Sequence, residues 1–125
     1  MSENTDRHES AVARYLEAWN AGEPDALAKA VAAAWSADGG YTDPLADVRG
    51  HEGIAALISA AHEQFPGFSF RLAGRVDGHH DIARFGWELV DDADGSAPVA
   101  GFDVITLDDD GRIRAVHGFL DRVPA

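Results

Sequence analysis

The chain has 125 residues and no cysteine, and it carries a net charge of −12 from 22 acidic and 10 basic side chains. This length predicts one domain, residues 1–125, with a substantial core. The lack of cysteine excludes disulfides, thiolate zinc sites and a cysteine nucleophile. The acidic balance disfavours nucleic acid and anionic membranes as partners. A polar start and the lack of a long apolar run lead us to expect a cytoplasmic protein without a signal peptide or membrane span.

The first half of the chain has the apolar spacing of helices. Gly22 is a typical helix end, and Pro24 suits the first turn of the next helix. The pattern predicts helices over residues 10–20 and about 51–65, a short extended segment at 41–44, and a flexible N-terminus at 1–8. Between the first and last of these helices it predicts another, which begins at Pro24, has an apolar stripe that reaches Trp35, and is broken by Asp38-Gly39-Gly40.

The second half changes to the two-residue alternation of strands. Four strands are predicted, separated by turns rich in Asp and Gly, over residues 68–76, 82–90, 99–107 and 112–121. Helices followed by an antiparallel meander predict an α+β domain, with the helices packed on one face of a curved sheet.

Asp103 lies in the middle of the apolar run 99–107, which otherwise reads as a buried strand. Because side chains alternate along a strand, Asp103 shares a face with Val99, Gly101, Ile105 and Leu107. A carboxylate on such a face is costly unless it is hydrogen-bonded, paired or kept neutral by a raised pKa. We therefore expect Asp103 to titrate well above an ordinary aspartate.

The order of elements resembles the cone-shaped NTF2-like fold of nuclear transport factor 2 and its SnoaL-like relatives. Within that superfamily, three local patterns resemble the Δ5-3-ketosteroid isomerases. They are Tyr15 within Ala-Arg-Tyr-Leu-Glu on the first helix, Asp43 before Pro44, and Asp103 followed by a turn and Gly-Arg-Ile at 111–113.

The resemblance implies a reaction and a role for each of these residues. Asp43 would be the general base, and Tyr15 with a protonated Asp103 would stabilise the enolate oxygen, as in the isomerases. Such proton transfer on an apolar carbonyl compound requires neither a metal nor an organic cofactor. The expected pocket residues are Val12, Trp19, Trp35, Ile58, Phe85, Trp87, Val116 and Leu120. Trp35 and Ile58 stand where one subgroup of the isomerases has supporting tyrosines.

Other interpretations of these residues stay open at the level of sequence. Asp43 before proline is a common turn opener, Asp103 can be a structural hydrogen-bonding group, and Tyr15 can be an ordinary core residue. A SnoaL-like polyketide cyclase and a non-catalytic module that binds an apolar ligand are the alternative functions.

The remaining polar motifs are interpreted as structural. His79 and His80 are expected in a solvated hairpin turn, since neighbouring strand residues face opposite ways and do not easily share a metal. The acidic run 108–110 lacks the ligand spacing of a calcium loop. His117 and Phe119 are expected on the outer sheet face, which commonly packs a dimer in this superfamily, so we expect a homodimer.

Overall fold

The computed structural model describes residues 3–124 and contains three helices and six strands. The helices are α1 (Glu3–Asn20), α2 (Pro24–Ala34) and α3 (His51–Gln64). The strands are β1 (Trp35–Thr42), β2 (Asp47–Arg49), β3 (Phe68–His79), β4 (Ile82–Asp91), β5 (Val99–Leu107) and β6 (Ile113–Arg122).

One six-stranded sheet runs in the order β2-β1-β6-β5-β4-β3 and carries the helices on its concave face. The four strands from β3 to β6 form an antiparallel meander, whereas β1 pairs in parallel with β6 and antiparallel with β2. The predicted α+β cone is therefore confirmed, with a mixed rather than purely antiparallel sheet.

Helix α2 ends at Ala34, before the Asp38-Gly39-Gly40 break that the sequence predicts, and these three residues lie within β1. Trp35 is the first residue of β1, not the end of a helical stripe, and it pairs with Ile113 of β6. Its indole Nε1 donates to the Gly40 carbonyl at 3.3 Å, and a Cβ atom on Gly39 would lie 2.8 Å from the indole ring. Strand pairing and burial of this indole outweigh the weak local preference for helix.

The first helix begins earlier than residue 10, where the sequence predicts it, whereas the flexibility expected for residues 1–8 stays a prediction. The α1 helix begins at Glu3, and His8 is buried with its ring over Gly78 and its Nε2 atom 3.0 Å from the His80 carbonyl. Arg7 contacts the same carbonyl and Asp81. These contacts fasten α1 to the β3–β4 turn. Met1 and Ser2 lie outside the described residues.

The predicted alternation is confirmed for β4 and β5 and for the middle of β6, whereas β3 does not alternate cleanly and shifts its register between Ala73 and Asp77. The inward positions of β4 and β5 are buried, and on β6 His117 and Phe119 face outward while Val116 and Gly118 face inward. His80 lies in the β3–β4 turn as predicted, but His79 does not: it is the last residue of β3 and pairs with Ile82, because this strand continues three residues beyond its predicted end. No helix among residues 3–124 is long and apolar enough to cross a membrane.

Candidate active site

Asp103 lies at the centre of β5 with its side chain directed into the core. It pairs with Phe85 of β4 and Gly118 of β6, and only 1% of its surface is exposed. The hydroxyl of Tyr15, from the middle of α1, donates a hydrogen bond of 2.6 Å to its Oδ2 atom. This length is typical of a short bond between a hydroxyl and a carboxylate. The structure thus joins two of the three predicted catalytic residues.

The second oxygen of the same carboxyl group lacks a hydrogen-bond partner. Among the described residues, nothing donates to or accepts from Asp103 Oδ1. Burial raises the pKa of Asp103 from its ordinary value to about 6; the nearby Asp43 charge adds to this, while Tyr15 and the Trp87 indole act against it. This direction agrees with the expectation from sequence. A half-neutral acid near pH 6 can donate a proton as well as accept a bond.

Asp43, the predicted general base, lies in the turn between β1 and β2 and is half-buried. Its Oδ1 atom accepts bonds from the amides of Leu45 (2.8 Å) and Ala46 (2.9 Å). Its Oδ2 atom accepts a bond of 2.6 Å from the hydroxyl of Tyr41. Asp43 therefore shapes its turn, as the structural interpretation proposed, and also borders the cavity described below.

Gly118 lies between the two carboxyl groups. A Cβ atom at this position would lie 2.8 Å from Asp103 Oδ1 and 3.3 Å from the Cβ of Asp43. Even alanine would therefore crowd the unpartnered oxygen. The glycine lets side chains from the β1–β2 turn and from β5 approach each other across β6.

A cavity of about 360 Å³ opens beside these residues, between the helices and the concave face of the sheet. Tyr15, Tyr41 and Asp43 form its polar wall. The rest of the lining, among the residues that the structure describes, is almost entirely apolar and includes no Lys, Arg or His; its members are Leu16, Trp19, Leu45, Leu57, Ala60, Ala61, Gln64, Phe65, Phe70, Trp87, Leu89, Val99, Leu120, Val123 and Pro124. Such a cavity suits an uncharged, largely apolar ligand with one polar end.

Asp103 itself is not part of this lining. Tyr15 lies between Asp103 and the cavity, so a ligand meets the tyrosine and the buried acid acts behind it. This differs from the expectation that Tyr15 and Asp103 both contact the ligand oxygen. The cause is the position of Asp103 at mid-sheet, one layer deeper than the hydroxyl it binds.

The predicted pocket residues divide into two groups. Trp19, Trp87 and Leu120 line the cavity. The other five, all fully buried, pack in the core beneath it: Val12, Trp35, Ile58, Phe85 and Val116. An inward-facing pattern cannot separate cavity wall from solid core, because both bury the same face of an element.

Sequence reasoning missed several functional candidates, of which Tyr41 is the most informative. It appeared only as part of a short extended segment, yet its hydroxyl binds Asp43 and its ring packs on Trp19 with centroids 5.5 Å apart. Two residues along a strand share a face, so its position two before Asp43 was a usable signal. The lining residues of α3 and of the C-terminal segment gave no comparable signal.

Within residues 3–124, no group of three or more His, Asp or Glu side chains is arranged to hold a metal ion. The three acids of the 108–110 run form a hydrogen-bonded turn, in which Asp108 Oδ1 accepts from the amides of Asp110 and Arg112.

The sequence was compared with models of known protein families. The model of the SnoaL-like domain matches residues 12–116, which include the tyrosine and both carboxyl groups. The chain belongs to the SnoaL-like family. Among curated proteins, no sequence match to this SnoaL-like chain is found.

Solved structures show the same fold. A SnoaL-like protein from Agrobacterium tumefaciens, which carries the provisional name of isomerase, is 42% identical with a TM-score of 0.87, covering 93% of this chain and 98% of its own. A provisionally named SnoaL-like polyketide cyclase from Jannaschia is 18% identical with a TM-score of 0.75, covering 97% and 90%. A provisionally named polyketide cyclase from Sinorhizobium meliloti is 22% identical with a TM-score of 0.65, covering 87% and 93%. The last two support the fold alone.

Proposed function

We propose that the protein is a cofactor-free enzyme of the isomerase type, which moves a proton within an apolar carbonyl compound. The observation that carries this proposal is one cavity wall holding a carboxylate, Asp43, beside a hydroxyl, Tyr15, that is bonded to a buried acid. The 42% identical relative with the provisional name of isomerase supports the same reaction class.

In the proposed mechanism, Asp43 removes a proton from the carbon next to the carbonyl and returns it to a more distant carbon. Charge then develops on the carbonyl oxygen. When Asp103 is protonated, it donates to the Tyr15 oxygen, which frees the Tyr15 proton for the ligand oxygen. Tyr15 is buried, and that burial raises its pKa well above the ordinary value, so its hydroxyl stays a donor.

The cavity also supports a choice of substrate. Its lining has no cationic side chain to pair with a carboxylate or phosphate, and Asp43 repels both. Its volume of about 360 Å³ is near the lower end for small-molecule sites, which favours a compact ketone over a large polar polyketide.

The test is turnover of β,γ-unsaturated ketones of increasing size, followed by the absorbance of the conjugated product. Asp43→Asn should lower kcat by roughly 10²–10⁴-fold, and Asp103→Ala should also lower it. Asp47→Asn is the matched control, because Asp47 is an exposed acid at the start of β2, just after the turn that holds Asp43. Unchanged turnover in both Asp43→Asn and Asp103→Ala would end the isomerase proposal. Tight binding without turnover would indicate a binding module, and conversion of only large polar substrates a cyclase.

We further propose that two copies associate through the outer sheet face. Phe119, which is 58% exposed, lies there beside Phe102 and Val104. Sedimentation should show a dimer that Phe119→Glu separates, whereas Leu72→Glu, on an exposed apolar residue of the other face, leaves it intact. A monomeric wild type would refute this. A cytoplasmic location also stays a prediction from the sequence, to be checked by cell fractionation.

A further inference from the structure

The site contains a second tyrosine–carboxyl pair that the proposed mechanism does not use. Tyr41 donates a 2.6 Å hydrogen bond to Asp43 Oδ2, and the tyrosine is only 4% exposed. It therefore parallels the Tyr15–Asp103 pair in length and burial. The two hydroxyls lie close enough for each tyrosine to influence the pKa of the other.

The other contacts of Asp43 show what this bond controls. The amides of Leu45 and Ala46 hold Oδ1 in the turn, so Oδ2 is the oxygen available to take a proton from a ligand. Among the described residues, Tyr41 makes the hydrogen bond to Oδ2. A carboxylate oxygen has two lone-pair directions, so the tyrosine occupies one and leaves one for the ligand.

Tyr41 is itself held rigidly. Its backbone lies in β1, paired with Val48 on one side and Val116 on the other, and its ring packs on Trp19. Burial, followed by the bond to Asp43, raises its pKa far above the ordinary value, so the hydroxyl stays protonated and remains a donor. A rigid donor fixes the direction in which the free lone pair of Oδ2 points.

We propose that Tyr41 is a positioning residue for Asp43, which holds the Oδ2 atom at the cavity wall in the orientation that proton transfer needs. This inference rests on the proposed function, in which Asp43 is the base. A misplacement of about 1 Å in a reacting group can cost about 100-fold in rate. Loss of the Tyr41 hydroxyl should therefore reduce the chemical step and leave binding in the apolar cavity nearly unchanged.

The first experiment compares Tyr41→Phe with the wild type on the ketone that is turned over best. We expect kcat to fall about 10- to 100-fold with KM changed less than about threefold. Ser36→Ala is the matched control, since it also removes a buried hydroxyl from β1. The Ser36 hydroxyl donates to the Ile113 carbonyl, and Ser36 lies outside the cavity lining. Ser36→Ala should lower stability but leave kcat unchanged.

A double-mutant comparison shows whether Tyr41 acts through Asp43. In an Asp43→Asn background, Tyr41→Phe should have little further effect on kcat, because the group that it positions is already inactive. An undiminished effect in that background, or a loss confined to KM, would overturn the positioning role. So would a wild-type kcat in Tyr41→Phe.

Proton NMR separates this inference from the proposed function. Two short buried hydroxyl–carboxylate bonds should give two far-downfield resonances, of which Tyr41→Phe removes one and Tyr15→Phe the other. If Tyr41→Phe removes one resonance and the wild type turns over ketones, the kinetic comparison of Tyr41→Phe with the wild type decides whether Tyr41 positions Asp43. If the resonance is present but no ketone is turned over, the proposed function fails and Tyr41 has only a structural role. If Tyr41→Phe removes no resonance, the pair does not exist in solution and the inference fails alone.

Discussion

Asp103→Asn keeps the size of the buried side chain and removes its ionisation. The folded-state pKa is about 6, against about 3.9 in an unfolded chain. Between these two values the native state binds more protons than the unfolded state, so stability falls as pH rises. The stabilising contribution of the proton is complete below about pH 4 and is lost above about pH 6. A difference of about two pH units corresponds to roughly 3 kcal/mol.

This magnitude predicts that the gap in free energy of unfolding between Asp103→Asn and the wild type depends on pH. The variant does not ionise at position 103, so only the wild type loses this stability as pH rises. The difference in free energy of unfolding, variant minus wild type, should therefore increase by roughly 3 kcal/mol between pH 3.5 and pH 8. Any fixed cost of fitting the amide cancels in this comparison. Other carboxyl groups titrate in both proteins and cancel as well.

Urea unfolding followed by tryptophan fluorescence measures the gap at each pH, since Trp19, Trp35 and Trp87 are all buried. Asp47→Asn removes the same charge at an exposed site and serves as the control for the change in net charge. A gap for Asp103→Asn that varies by less than about 0.5 kcal/mol over this range would refute the reasoning. It would mean that Asp103 is ionised at an ordinary pH and is solvated in the native state.

Three other expected outcomes depend on the same contacts. Tyr15→Phe should raise the pKa of Asp103 above about 6, because the hydrogen bond that Tyr15 donates in the wild type lowers that pKa; carboxyl ¹³C NMR measures the shift. If protonated Asp103 is required, kcat/KM should fall as pH rises through about 6, and a profile that is flat between pH 5 and 8 would contradict this. Gly118→Ala should destabilise the fold by about 1–3 kcal/mol in thermal unfolding and lower turnover, because its Cβ would crowd Asp103 Oδ1.

The sequence predicted the elements wherever one periodicity was strong. The bounds of β5 are those expected, and α3 ends within one residue of the expected position. The prediction was wrong where tertiary pairing decides, as at Trp35, whose helical spacing yields to pairing with β6. Strand β2 has only three residues and depends on its partner β1, so no local pattern could have revealed it.

For the candidate site, chemistry was more predictable than geometry. An acid on an apolar face, as at Asp103, is anomalous in any sequence, and the family resemblance brought Tyr15 to the same site, but their direct hydrogen bond was not predicted. Whether Tyr15 or Asp103 borders the cavity depends on how deeply each side chain lies in the core, and the periodicity of a sequence does not encode that depth. The partnership of Tyr41 with Asp43 likewise depends on how the β1–β2 turn folds back.

The two carboxyl groups differ in how their oxygens are used, and this difference suits them to opposite roles. Asp43 accepts three hydrogen bonds, two from backbone amides and one from a tyrosine hydroxyl. Asp103 accepts one bond and keeps Oδ1 against Gly118 in the dry core, a setting that favours the neutral acid. The nearby charge of Asp43 adds to the effect of burial in raising the pKa of Asp103. In the proposed mechanism, a base and an acid therefore share one small site: Asp43 borders the cavity beside Tyr41, and Asp103 acts through Tyr15.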